Sequence, residues 1–288
     1  MAMPTDIGII DTMVGFPSSN RKEVYKFLAP QLRDSESKDF KFPAQYMFKD
    51  VPADLEDNVD PVAVLIDNLD RFGVAQAMVS VAHEHYERAA KEHPGRFIPT
   101  TSVDPNQGMD AVRSLVELHA RYGIKSCTVF PAGCLPQVPI NDKKMYPIYA
   151  KCIELDIAVF VCAGVPGPRV PMAPQRVELI DEVCYDFPEL RFVMRHGAEP
   201  WADLAVKLML KWPNLYYSTS AFAPKHYPKN IIAYANTRGA DKVLYAGYFP
   251  AGLTYDRIMG DMPTVPFNDD VWPRFLRDNA RKVLKLDD

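Results

Sequence analysis

The side chains able to do chemistry here are few, and their positions matter more than their number. His83-Glu84-His85 has the spacing that on an extended strand puts both rings on one face, where Cys162 and His196 could complete a mixed metal site. The following YERAAKEHP reads as a helix running to Pro94, however, and residues two apart on a helix diverge, so the simpler expectation is that both histidines start that helix. Cys162 and His196 each end a strand-like run, and adjacent strands lie about 4.8 Å apart, so a Cys/His pair is within reach. A thiolate lowered by His196 and Arg195 would be a nucleophile; the competing fate is ordinary burial of a free cysteine as a small hydrophobe. Tyr248 offers a phenol for a carbonyl or oxyanion, or simply bulk. Lys125 suits a Schiff base or an anion, or a solvent-facing strand end. Arg169, in GVPGPR, is a candidate clamp for a carboxylate or a surface charge. Glu199 is expected to orient the His196 imidazole, whereas Arg195, its strand neighbour, is expected to point to the other face.

These residues need elements to position them. Short β-branched runs alternate with amphipathic helical stretches, punctuated by 26 prolines and 14 glycines, the pattern of a parallel sheet with crossover helices. The strand candidates are Ile7–Asp11, Gln76–Val81, Phe97–Val103, Lys125–Phe130, Ala158–Cys162, Arg191–Arg195, Leu215–Ser218 and Val243–Ala246. Helices are predicted to start near Pro61, Tyr86, Asp110, Asp142, Pro174, Trp201 and Pro228, with a last one from Val271 to Leu284. Eight such pairs in about 250 residues is the arithmetic of a single-domain, distorted (β/α)8 barrel. A doubly wound open sheet competes, but no GxGxxG or GxxxxGK[ST] turn follows an early strand. In a barrel the strand C-termini face the pocket, which selects Asp11, Met13 and Gly15, His83 and His85, Lys125 and Cys127, Cys162, Arg195 and His196, Ser218 and Ser220, and Tyr248. One segment, residues 12–60, interrupts the alternation and should lie over that face as a lid or a contact surface, because loops of this length usually cover a site.

Composition narrows the function classes. The 288 residues are 48% hydrophobic and 24% charged, which excludes disorder. Net charge is -4 without basic blocks, so nucleic acid is not an expected partner. The longest apolar stretch, Ile157 to Val165, is far short of the roughly 20 residues of a membrane span. The N-terminal MAMPTDIGII lacks a secretory pattern, and five cysteines without a CxxC pair point to free thiols in a cytoplasm.

Several stretches together, GIIDTMVGFP, HPGRFIPTTSVDP, YGIKSCTVFP, DKKMYPIYAKCIELDIAVFVCAGVPG, FVMRHGAEPW, KWPNLYYSTSA and KVLYAGYFP, with DNARKVLKL near the end, resemble the amidohydrolase superfamily. The branch that includes aminocarboxymuconate-semialdehyde decarboxylase and γ-resorcylate decarboxylase is the most similar, and the resemblance spans nearly the whole chain. It implies a barrel with a site at the strand C-termini, usually holding one divalent metal.

The departures are specific. Where the family reads Asp-x-His-x-His, with both histidines metal ligands, this chain reads Asp11-Thr12-Met13-Val14-Gly15. A ligand histidine before Thr-Gly is replaced by Cys162 before Ala163-Gly164, and a ligand aspartate in Gly-[ST]-Asp-[YFW]-Pro by Tyr248. Only the histidine that serves the family as general acid/base is matched, by His196.

A catalytic metal takes the pKa of water from about 15.7 to about 7, on the order of 12 kcal/mol of activation, which a lone histidine cannot supply. No metal and no other cofactor is therefore expected. The resemblance then implies a hydrolase or decarboxylase-like lyase on a small carboxylated or cyclic substrate. His196 would be the acid/base and Tyr248 or Cys162 would assist, with Asp11, His83, Lys125, Arg169 and Glu199 as candidate binding groups. The alternative is a degenerate barrel that binds a ligand or pairs with a metal-bearing paralogue, as a hetero-oligomer in place of a homo-oligomer. Polar groups converging on His196 around an open cavity favour the enzyme; a pocket filled by Met13, Tyr248 and Phe249 favours the partner subunit.

Overall fold

Each apolar run of the sequence becomes a strand: β1 (Ile9–Asp11), β2 (Val74–Ser80), β3 (Phe97–Ser102), β4 (Ser126–Val129), β5 (Ala158–Cys162), β6 (Phe192–Arg195), β7 (Leu215–Ser218) and β8 (Val243–Leu244). In this computed structural model, which describes residues 3–49 and 51–287, all neighbours pair in parallel in the order β1 to β8. Met1 and Ala2 of the N-terminal segment, Asp50 of the insertion and Asp288 lie outside the described residues. The strands are short, and β8 is the shortest because its chain turns at once into the loop that carries Tyr248.

Side chains alternate across each strand, and that alternation builds two cores. Ile10, Met78, Ile98, Phe160, Val193, Tyr216 and Leu244 form the inner one, plugged by Ala280, Val283 and Leu284 of the helix Asn279–Leu284. The intervening residues, among them Val159, Val161, Phe192, Met194, Leu215 and Tyr217, belong to a larger outer core shared with the crossover helices. Most of those helices begin within a residue of where the sequence places them, whereas the ones expected near Asp142 and Pro174 begin at Tyr146 and Leu179. Pro61–Arg71 starts on a proline with the Asp60 carboxylate accepting from the Val62 N–H at 3.0 Å. Met109–Tyr122 ends on Gly123 in the left-handed region at φ 62°. Among the described residues no helix is long and apolar enough to cross a membrane.

The eighth strand returns to the first. The Thr12 N–H and hydroxyl both donate to the Tyr245 carbonyl, at 3.3 and 2.7 Å, the Tyr248 N–H donates to Met13, and the Gly15 N–H donates to Phe249. Asp11 occupies this seam, fully buried. Its carboxylate accepts from the Gly247 N–H (2.8 Å), the Met13 N–H (3.0 Å) and the Tyr255 hydroxyl (2.8 Å). A Cβ at Gly247 would collide with that carboxylate, which confines the position to glycine. Asp11 is thus a closure residue and does not reach the cavity as the binding group expected from its place at the strand end.

Burial outweighs these hydrogen bonds and pushes the Asp11 carboxyl up to about 6. A carboxyl raised above its unfolded value stabilises the fold fully at pH below that value and loses the contribution as pH rises through the folded one. The variant Asp11→Asn keeps an acceptor for Gly247 and removes the charge. Its unfolding free energy in urea should therefore gain on the wild type by up to about 3 kcal/mol between roughly pH 4 and pH 7. A difference that does not change with pH would contradict the assignment.

Candidate active site

The strand C-termini open into a cavity of about 1100 Å³. The 12–60 segment supplies much of its wall through Tyr25, Phe27, Phe42, Met47 and Phe48. Arg21, buried at the start of that segment, donates to the carbonyls of Pro52 and Ala251 and stands 5.6 Å over the Phe42 ring, joining the insertion to the loop after β8.

Of the eight residues singled out as catalytic or binding groups, His196, Cys162 and Tyr248 lie on the cavity wall, and Asp11, His83, Lys125, Arg169 and Glu199 do not. His196 follows the last residue of β6 with φ 65°, a left-handed turn that breaks the strand alternation. Its backbone N–H donates to the Ser220 Oγ at 3.1 Å, and the same Oγ lies 3.1 Å from its Nδ1. Desolvation, and then the neighbouring Arg195 charge, hold the imidazole well below the usual histidine range, so the ring is neutral near pH 7. The Tyr248 ring meets it edge-on at 5.4 Å.

Arg195 also lines the cavity, which corrects the expectation that it serves the opposite face. It is two residues from Val193, a member of the inner core, so strand alternation itself sends it inward. It makes no ion pair among the described residues, and its buried Nε has no hydrogen-bond acceptor.

Tyr248, at φ 68°, stacks 6.1 Å from Phe48 and meets Phe42 at 6.0 Å; burial pushes its phenol upward, so it keeps its proton. Cys162 faces the cavity, but desolvation pushes its thiol up to about 11, against a partial opposing pull from Arg195. Among the described residues it forms no hydrogen bond with His196, and its raised pKa does not match the lowered thiolate of a Cys/His nucleophile.

The remaining candidates are placed elsewhere for identifiable reasons. His83 and His85 precede the helix Tyr86–Glu92, with the His85 N–H donating to the His83 Nδ1 at 3.3 Å and Phe16 packed 4.8 Å from His83. Lys125 precedes β4 at the barrel end opposite the cavity, its N–H donating to Pro99. Arg169 pairs with Asp34 (2.8 Å) and Glu36 (2.7 Å) and lies over the Phe40 and Tyr46 rings, so its charge is already used by the insertion. Glu199 is exposed on the turn after β6, and Ser220 fills the orienting part expected of it.

Groups not anticipated also reach the wall: Lys225 and His226 after β7, Arg257 after β8, and one carboxylate, Asp104, after β3. Lys225 is held 3.5 Å from Asp261. A basic dipeptide between a strand end and the Pro228 helix start was the only signal available for the first two. Phe249, expected as possible filler, instead packs 4.9 Å from Tyr255 and is not on the wall. Among the described residues no three His, Cys, Asp or Glu side chains come together in a way that could hold a metal ion.

A closed parallel eight-stranded barrel with its cavity at the strand C-termini defines a TIM-barrel protein of the kind in which loops carry the chemistry. The chain belongs to the amidohydrolase family, whose profile matches residues 26–286. No curated protein matches it in sequence. Among solved structures, an uncharacterised TIM-barrel protein from Bordetella bronchiseptica is 20% identical with a TM-score of 0.70, covering 96% of this chain and 98% of that one. The manganese-bound 5-carboxyvanillate decarboxylase of Novosphingobium aromaticivorans is 17% identical (TM-score 0.66; 98% of each chain). The 4-oxalomesaconate hydratase of Rhodopseudomonas palustris is also 17% identical (TM-score 0.63; 96% and 95%).

Proposed function

We propose that this chain is a lyase or hydrolase of amidohydrolase type that acts without a resident metal on a small carboxylated or cyclic substrate, with His196 as acid/base. The observation that carries the reading is a neutral imidazole held by Ser220 on the wall of an open cavity, beside an arginine with no anionic partner among the described residues.

The Ser220 hydroxyl can accept from Nδ1 or donate to it. The first arrangement leaves the Nε2 lone pair to take a proton from water or from an acidic hydroxyl of the substrate. The imidazolium so formed then returns that proton, to a leaving oxygen in hydrolysis or to the carbon that has released carbon dioxide in decarboxylation. Arg195 holds the substrate carboxylate, and the Tyr248 phenol, protonated throughout, donates to a carbonyl or oxyanion. Solved relatives include decarboxylases of aromatic acids, one of them complexed with 2,6-dihydroxybenzoate, which supports a carboxylated substrate.

The donor set supports the absence of a metal. The four positions where the family resemblance puts ligands hold Met13, Gly15, Cys162 and Tyr248, and the thiol and phenol keep their protons. Divalent ions of such sites want imidazole, carboxylate or deprotonated sulfur. A cytoplasmic setting is part of the same proposal, consistent with five buried free thiols.

Elemental analysis of the purified protein tests the reading: we expect substoichiometric zinc and manganese, and turnover that is unchanged after dialysis against a chelator. Stoichiometric metal whose removal abolishes turnover would overturn it.

A further inference from the structure

The cavity wall combines charged and apolar side chains. Arg195, Lys225 and Arg257, from β6 and the loops after β7 and β8, line it together with the neutral His196, and the insertion adds Lys49. Its exposed apolar lining is formed by Phe27 and Met47 of the insertion, Leu135 after β4 and Val165 after β5, called the rim below. These four are 56%, 59%, 59% and 51% exposed, and all four line the same cavity. Single exposed apolar side chains need no explanation; a set lining one cavity does. The volume adds a second constraint. About 1100 Å³ is slightly above the range of roughly 300–1,000 Å³ that encloses drug-sized ligands. A benzoate-sized acid bound at Arg195 would leave most of that space, and the whole rim, in contact with water.

We infer that the site is built for an amphiphilic carboxylate, its anionic head on Arg195 and an extended apolar body reaching the rim of Phe27, Met47, Leu135 and Val165. This rests on the reading of the cavity as the substrate site and specifies the substrate class that reading leaves open. Met47 suits such a role, because an unbranched thioether adapts its shape to what it covers.

Calorimetric titration of the intact protein with phenylacetate, 4-phenylbutyrate, 6-phenylhexanoate and 8-phenyloctanoate provides the test. The dissociation constant should fall about fourfold for each methylene that becomes buried, so that the longest acids bind far more tightly than phenylacetate. In Arg195→Gln every member should weaken by a similar factor, and in the double variant Met47→Ser/Leu135→Ser the gradient with chain length should flatten. Both rim positions are exposed, so these changes leave the core intact. A dissociation constant that does not vary with length overturns the inference, as does equal binding of 8-phenyloctanol, which lacks the head. If the rim is instead a contact between two copies, sedimentation velocity will show the double variant shifting from dimer to monomer with the gradient preserved, and that result also overturns it. The acid/base reading fails on a separate measurement, undiminished turnover without the His196 imidazole, so the two proposals can be rejected independently.

Discussion

Replacing His196 with asparagine lowers kcat by about 10²–10⁴-fold, the usual range for loss of a positioned proton-transfer group. Asparagine keeps a polar atom near the Nδ1 position, so the contact with Ser220 survives in kind, and only the second ring nitrogen and its ability to carry a proton are lost. The variant should therefore fold and bind like the wild type, with KM moving much less than kcat. The substrate for this comparison is whichever compound turns over best in a screen of aromatic and enolic carboxylic acids and lactones, read as released carbon dioxide or acid. Unchanged kcat would remove His196 from the chemistry.

Arg195→Gln should raise KM by about 10- to 150-fold, the value of a hydrogen bond to a charged group, roughly 1.5–3 kcal/mol. A second readout separates this role from a merely structural one. The Arg195 charge helps to hold the His196 imidazole below its ordinary range, so removing it lets that pKa rise. A base must be deprotonated to act, so the acid limb of the kcat profile should move to higher pH in Arg195→Gln and stay in place in Arg195→Lys. Lysine restores the charge without the planar fork, and should recover the pH profile more fully than the affinity. Identical acid limbs in wild type and Arg195→Gln would show that the two side chains do not share one site.

The architecture was legible in the sequence because alternation and helix starts are local signals. Asp60 followed by Pro61, and Gly123 after an amphipathic run, mark helix ends by their own backbone chemistry, and the structure places ends there. The site was legible only in part. Cys162, His196 and Tyr248 lie on the cavity wall, where the strand-end rule expects them, whereas Asp11 and His83, expected there by the same rule, do not. Arg195 was assigned to the wrong face because the alternation was counted from His196, and His196 has left the strand through a left-handed turn that a sequence does not display. The pairing of Arg169 with the insertion is not legible in sequence because its partners, Asp34 and Glu36, are more than a hundred positions away. Asp11 looked like a binding group for a similar reason: its three donors come from Met13, Gly247 and Tyr255, and only the first is near in sequence. The Cys162 thiol required knowledge of its surroundings, since burial rather than residue type decides whether sulfur is charged.

The Arg21 guanidinium ties the beginning of the insertion to Pro52, near its end, and to Ala251, in the loop that carries Tyr248. Lifting the insertion off that loop would break the hydrogen bond to Ala251. Because one side chain holds both segments, the placing of the Phe42 side of the cavity wall and that of the Tyr248 loop are set together.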